Sequence, residues 1–405
     1  MINFKDNYEN KIDKAEKNFI EINKTKYFDL SLHSGVMLLG HNNEVFKDIL
    51  KKIIKYKFSI TKSIDNKIHN KFLSIIKKYF KSANDLIYCT TGSESAIKSI
   101  RISRALNPKK SKIFLVSGGW HGSVDQTLFS SKKNLSPIPL SSGISENLRK
   151  SVKILPYNDI EKSKKILNRF HKQAACLIIE PIMGSLPLEK SKSYLIFLKN
   201  YCKKKNIILI FDEIVTGIRT DKGSVQNKFK IYPDITLAGK VIGGGFPISL
   251  IIINKKINKN INKLKKNIFF GGTFSANNFS VYSSLKTLTY IDKNKDLVKK
   301  IIKNAYLIQK KLNNYISKNK LDAKVYRFDS FLRIIFTKKE IKNRIARDFL
   351  ETKNKNKISK FSKFLYSKKI LYPKNGIIFL SSQLRMTEID FLIKNLSLGL
   401  KKYFQ

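Results

Sequence analysis

Two residues of this chain stand where chemistry is expected: a lysine in an apolar, glycine-rich stretch, and a carboxylate 28 positions before it. Lys240 ends a short apolar run in PDITLAGKVIGGGFP, with Gly239 before it and Gly243, Gly244 and Gly245 after it. Glycines remove bulk where backbone must come close to a ligand. A lysine enclosed by such a segment is costly to bury as an ammonium unless something compensates. A Schiff base would compensate, because a desolvated amine has a lowered pKa and is a competent nucleophile toward carbonyls. Asp212 ends the apolar run IILIFD, and the carboxyl end of a strand is where open α/β sheets bind ligands. On its own Asp212 could bind a metal, cap a helix or pair with a protonated heterocycle, and a structural role is the plainer reading.

Two more motifs carry candidate residues. In IYCTTGSESAIKSIRISRA a strand turns through Thr91, Gly92 and Ser93 into a helix. Free N–H groups at such a start suit a phosphate. Capping by Ser93, with Glu94 in the first turn, explains the same residues equally well. In VSGGWHGSVD the only tryptophan, Trp120, follows two glycines after a strand. Its ring belongs either to the core or against a flat cofactor, and the adjacent His121 reads as a general base or as a structural group.

These residues need a sheet to bring them together. Apolar runs of strand length (DLIYCT, KIFLVS, ACLIIE, IILIFD, ITLAG, ISLIII) alternate with amphipathic stretches such as ESAIKSIRISRAL and SYLIFLKNYCKKK. That alternation predicts an α/β architecture with a parallel sheet. After Thr273 the pattern changes to long helices, roughly 278–291 and 297–318, followed by an α+β segment with VYRFDSFLRIIF and NGIIFLS. Three regions follow: residues 1–45, packing on the small lobe or crossing to a partner; a large domain over 46–277; and a smaller domain over 278–405.

Composition removes several classes of function. The chain has 405 residues and a formal net charge of +50, but 70 of its 80 basic residues are lysine. Base recognition leans on arginine, and no zinc-finger, basic-zipper or aromatic RNA-binding signature is present, so specific nucleic-acid binding is not expected. The lysines come with abundant Asn and Ile along the whole chain, as codons rich in A and T would produce. Cys89, Cys176 and Cys202 are too few and too far apart for a disulfide framework or a CxxC metal site. No apolar run reaches ~18 residues and the start, MINFKDNYENK, lacks a signal peptide's apolar stretch, which predicts a cytoplasmic protein without a membrane partner.

Taken together, DEIVTGIRT followed by DITLAGKVIGGGFP, with TTGSES, GGWHGS and GGTFSANNFS in order around them, resembles the class III aminotransferases. The likeness runs from YFDLSLHSGVMLLGH to the C-terminal lobe and is greatest to the glutamate-1-semialdehyde aminomutase branch. It implies the pyridoxal-phosphate transferase fold type I, with a mostly parallel seven-stranded sheet and a smaller α+β domain. It also implies pyridoxal 5'-phosphate held by Lys240 as a Schiff base, with Asp212 on the pyridinium nitrogen. Gly92 and Ser93 would hold the phosphate, and Trp120 would stack on the ring where the family usually has Tyr or Phe. Thr273 would reach the phosphate of the neighbouring subunit in a homodimer with shared active sites. The implied reaction moves an amino group from an amine donor to a ketone or aldehyde through pyridoxamine phosphate. An aminomutase reaction is the same chemistry with one molecule as donor and acceptor.

The chain departs from the family in places. Ser185 stands in EPIMGSL where the aminomutase branch carries Asn near the cofactor's phenolic oxygen, and its hydroxyl could still donate there. No arginine precedes Arg101, and Ile377 occupies the place of a common carboxylate-binding arginine. With no familiar carboxylate clamp, the expected substrate is a ketone or aldehyde other than glutamate-1-semialdehyde; Arg219 and Arg385 are the arginines the fold could recruit.

Overall fold

In a computed structural model, residues 12–55, 65–131, 134–341 and 343–405 are described; the opening MINFKDNYENK lies outside them. Three short strands begin the described chain: β1 (Ile12–Glu16), β2 (Phe19–Ile22) and β3 (Thr25–Asp29). The central sheet is built from β4 (Asp85–Cys89), β5 (Lys112–Val116), β8 (Val152–Leu155), β9 (Ala174–Ile179), β10 (Ile208–Asp212), β11 (Ile235–Ala238) and β12 (Ser249–Ile253). Between β5 and β8, β6 (Phe129–Ser131) and β7 (Pro137–Pro139) form a separate ribbon.

The seven strands lie in the order β4-β12-β11-β10-β9-β5-β8, and only β12 runs against its neighbours. The mostly parallel α/β sheet expected from the sequence is therefore present. Six of its strands match the apolar runs, and β8 is the addition. Residues of β9, β10 and β11 are buried along their whole length, as expected for a parallel sheet covered on both faces. The connection from β11 to β12 is too short to hold a crossover helix, so the chain must turn back antiparallel.

The C-terminal region holds β13 (Lys324–Phe328), β14 (Phe331–Ile335) and β16 (Ile377–Phe379) as one antiparallel sheet. The two-residue β15 (Ile370–Leu371) joins β3 in parallel, so residues from both ends of the chain share a four-stranded sheet. Helices Asn278–Lys293, Asp296–Lys318 and Met386–Phe404 complete this part. Apolar residues of the last helix pack with Phe336 and Phe361, where the rings of Phe336 and Phe404 stack 4.5 Å apart.

The three cysteines are buried and free, and burial pushes the thiols of Cys89 and Cys176 up to about 12, so they stay protonated. Among the described residues no helix is long and apolar enough to cross a membrane, and no group of three or more His, Cys, Asp or Glu is placed to hold a metal ion.

Candidate active site

Four adjacent strands deliver their end residues to one edge. Asp212 closes β10 and pairs in register with Leu237 of β11, so Lys240 leaves β11 just beyond it. On the other side Phe211 pairs with Ile179 of β9, which places Glu180 beside Asp212. The next strand, β5, runs through Ser117–Gly119 to Trp120 and His121. Strand β4, at the far side of β12, leads into the helix Gly92–Ala105.

Asp212 and His121 are both almost fully buried, with Oδ2 and Nδ1 2.8 Å apart. The other carboxylate oxygen of Asp212 accepts from the Ile214 N–H at 3.1 Å. His121 is thus fixed by Asp212, while its Nε2 is buried without a partner among the described residues. Glu180 was not singled out in the sequence, although ACLIIE carries the same signal as IILIFD: an apolar strand ending in a carboxylate. It accepts from the N–H groups of Trp120 (2.8 Å) and Gly184 (3.0 Å). Burial first, and the neighbouring Asp212 second, raise the pKa of its carboxyl.

Lys240 opens a 3-10 turn, Lys240–Gly243, with φ +50, a backbone region that non-glycine residues rarely occupy. Such strain of order 1–3 kcal/mol persists only where surrounding structure enforces it. The enforcing contacts include the Ser283 hydroxyl, which donates to the Gly243 carbonyl at 2.7 Å. Burial lowers the pKa of Lys240 below the ordinary lysine value, and Arg219 adds to the shift while Glu180 and Asp212 oppose it. Its side chain makes no hydrogen bond or ion pair with another described residue.

The other candidates sit around this edge in different ways. Thr91, not Ser93, caps the helix, its hydroxyl accepting from the Glu94 N–H at 3.2 Å. The reason is geometric: Ser93 lies inside the first turn, and its oxygen accepts instead from the Ser123 N–H at 3.0 Å. Gly122, with φ +83, packs so closely that a Cβ there would come within 2.8 Å of Ser93 Cα, which makes a tight cradle at the helix start. The Trp120 side chain is 56% exposed and lines a cavity of about 750 Å³ with Gly118, Gly119, Arg344, Asp348 and Phe349. Ser185 stands 3.5 Å from Arg344 Nη1, and its carbonyl is held by Arg347. Thr273 is exposed, on a loop tied to the same helix start by the Ser275 hydroxyl donating to Glu94 at 2.7 Å. Arg385 lies at the start of the last helix, mostly exposed and paired with Glu388, apart from this group.

These features fit a pyridoxal phosphate: a helix N-terminus and a glycine cradle for an anion, an orphaned buried imidazole nitrogen, a buried carboxylate and a desolvated amine. The comparisons agree. The family described as Aminotransferase class-III matches residues 3–356. The glutamate-1-semialdehyde 2,1-aminomutase of Wigglesworthia glossinidia brevipalpis is 35% identical over 325 residues, covering 78% of this chain and 73% of that protein. Among solved structures, an omega-transaminase from Sphaerobacter thermophilus superposes with a TM-score of 0.88 at 17% identity, over 97% of this chain and 91% of the other. A glutamate-1-semialdehyde-aminomutase from Pseudomonas aeruginosa PAO1 gives 0.85 at 16% identity, over 97% and 88%.

The lowered pKa of Lys240 has a direct consequence. In the cofactor-free protein, an amine-acylating reagent should modify Lys240 with a pH midpoint below that of the exposed lysines, because the reactive neutral amine forms at lower pH. Mass-spectrometric pH–rate profiles check this, and a midpoint at or above that of the surface lysines would remove the argument from desolvation.

Proposed function

Because this chain belongs to the class III aminotransferases, a pyridoxal-phosphate-dependent family, we propose that Lys240 carries the cofactor and that the enzyme moves an amino group from a small-molecule amine to a ketone or aldehyde. The observation that supports this most is the meeting of Lys240, Asp212, His121 and Glu180 at the ends of four adjacent strands. Bound pyridoxal phosphate supplies a carbonyl that condenses with amines and a ring that draws electrons from the adjoining carbon.

Each protein group then has a task. Gly92 and Ser93 hold the phosphate at the helix N-terminus, where the orphan N–H groups and the helix dipole favour an anion. Asp212 pairs with the ring nitrogen, and His121, donating from Nδ1, orients that carboxylate and shares its burial. Trp120 covers a face of the ring, and Ser185 donates to the phenolic oxygen. Lys240 would hold the cofactor and, as a free amine, would move a proton at the substrate carbon. Its lowered pKa leaves more of it as the neutral base near pH 7 than an exposed lysine has.

A second reading is intramolecular transfer on glutamate-1-semialdehyde, favoured by the name of the 35% identical relative. A steady-state assay separates them: conversion of glutamate-1-semialdehyde to 5-aminolevulinate with kcat/KM of ~10⁴ M⁻¹s⁻¹ or above would establish the second.

Asp212→Asn should retain the cofactor yet lose roughly two or more decades of rate, the equivalent of several kcal/mol at the transition state. Lys240→Ala should lose turnover altogether with the fold intact. Near-native rates in either variant, measured with saturating cofactor, would reassign that residue.

We further propose that the enzyme works in the cytoplasm as a homodimer, with Thr273 completing the partner's phosphate site. Mixing Lys240→Ala with Thr273→Ala protein, each inactive alone, should restore activity in exchanged heterodimers, where one of the two sites is intact. Full activity in a sedimenting monomer would contradict the shared site.

A further inference from the structure

The helix Arg344–Lys353 lies far along the chain from the central sheet, yet two of its arginines reach loops that leave that sheet. Arg344 Nη1 donates to the Gly118 carbonyl at 2.6 Å, and Arg347 Nη1 donates to the Ser185 carbonyl. Three residues apart, the two side chains share one helix face. Gly118 follows β5 and Ser185 follows β9, and these strands are neighbours in the sheet. Glu180 ties the same two loops, taking the Trp120 N–H on one carboxylate oxygen and the Gly184 N–H on the other. The contacts close into a ring, with Glu180 joining the loops at one point and the two arginines joining them at another.

Such an arrangement is costly to build. Arg347 is buried, and an apolar side chain of similar volume would fill its place without the loss of hydration. What the guanidinium adds is a grip on Ser185, while its charge is met by Asp348 and by Glu351, 3.4 Å from its Nε. Glu351 also pairs with Arg333 of β14 at 3.0 Å, which anchors the helix to the C-terminal sheet. At Gly118 φ is +91 and a Cβ would stand 2.7 Å from Arg344 Cβ, so a side chain there would block the approach of the helix. Arg344 Nη1 also lies 3.5 Å from Ser185 Oγ. A guanidinium only donates, so the Ser185 hydroxyl accepts on that side and its own hydrogen is left to donate elsewhere.

We propose that Arg344 and Arg347 are positioning residues of the cofactor pocket: together they fix the loop that bears Trp120 and aim the Ser185 hydroxyl at the cofactor's phenolic oxygen. This assignment rests on the aminotransferase reading above. The Trp120 side chain is more than half exposed, so its placement comes from its backbone, held by Arg344 at Gly118 and by Glu180 at its own N–H. At the phenolic oxygen, a donated hydrogen bond disperses negative charge. The proton shared between that oxygen and the lysine nitrogen is then easier to lose.

Two readouts test the two arginines. Trp120 is the only tryptophan, so fluorescence of the cofactor-free protein reports its loop alone. Arg344→Met should lower the steady-state anisotropy of Trp120, and Ser185→Ala should leave it unchanged. In the cofactor-loaded enzyme, Arg347→Met should raise the pH midpoint of the cofactor's absorbance change by at least about half a unit, about threefold in the proton equilibrium. Ser185→Ala should raise it likewise, and the double variant should rise no further than Ser185→Ala alone, because both changes act through one hydroxyl. Arg347→Lys, which keeps a charged donor without the planar fork, should fall between wild type and Arg347→Met, and it carries the comparison if the Met variant folds poorly. Unchanged anisotropy in Arg344→Met, an unmoved midpoint in Arg347→Met, a rise that Ser185→Ala does not share, or additive shifts in the double variant would overturn the positioning roles while leaving the role of Lys240 standing. Wild-type protein that binds no pyridoxal phosphate would instead overturn the aminotransferase reading, and the positioning roles with it.

Discussion

Asp212 and His121 face each other across 2.8 Å with almost no exposure to solvent, and much of the molecule can be understood as the means of holding that contact. Neither group would stay in an apolar interior alone, since an unpaired buried charge costs several kcal/mol. Their pairing joins two segments 91 residues apart in sequence. Only a rigid sheet with buried central strands keeps those segments in register. The same edge then accommodates a second carboxylate, Glu180, through two backbone N–H groups, and a lysine whose ammonium has no hydrogen-bonded partner among the described residues. Burial favours neutral Lys240 against the opposing pull of those two carboxylates, and the guanidinium of Arg219 is buried without a hydrogen-bond partner among the described residues.

Much of this was legible in the sequence because the central strands are continuous apolar runs, and such runs announce a doubly covered parallel sheet. Strand β8 was not, since Val152–Leu155 has four residues, one of them Lys153, and adjoins a short helix. The reversed direction of β12 is invisible in its composition, which resembles that of its parallel neighbours. It follows from the shortness of the link after Ala238. The strands β1 to β3 escaped notice for another reason: β1 is largely exposed and polar, and β3 is fixed by pairing with β15 more than 300 residues away.

The site divides along similar lines. Lys240 and Asp212 were readable because each sits at the end of an apolar run, where a charged group needs a purpose. The sequence allows Ser93 as a cap or a phosphate ligand, and the cap falls to Thr91 because the helix begins at Gly92, two residues earlier than a Ser93 cap requires. Glu180 carries the same readable signal, an apolar run that ends in a carboxylate. The relation of His121 to Asp212, and of Arg219 to Phe379 and Gly35, is tertiary and leaves no trace in local spacing.

The central claim is that Lys240 is the covalent attachment point, and borohydride reduction of the cofactor-loaded enzyme followed by peptide mapping addresses it most directly. Reduction should fix a pyridoxyl phosphate mass on the peptide containing Lys240 and on no other lysine of the 70 in the chain. Attachment at a different lysine, or a reduced protein that releases all its cofactor on denaturation, would contradict the account.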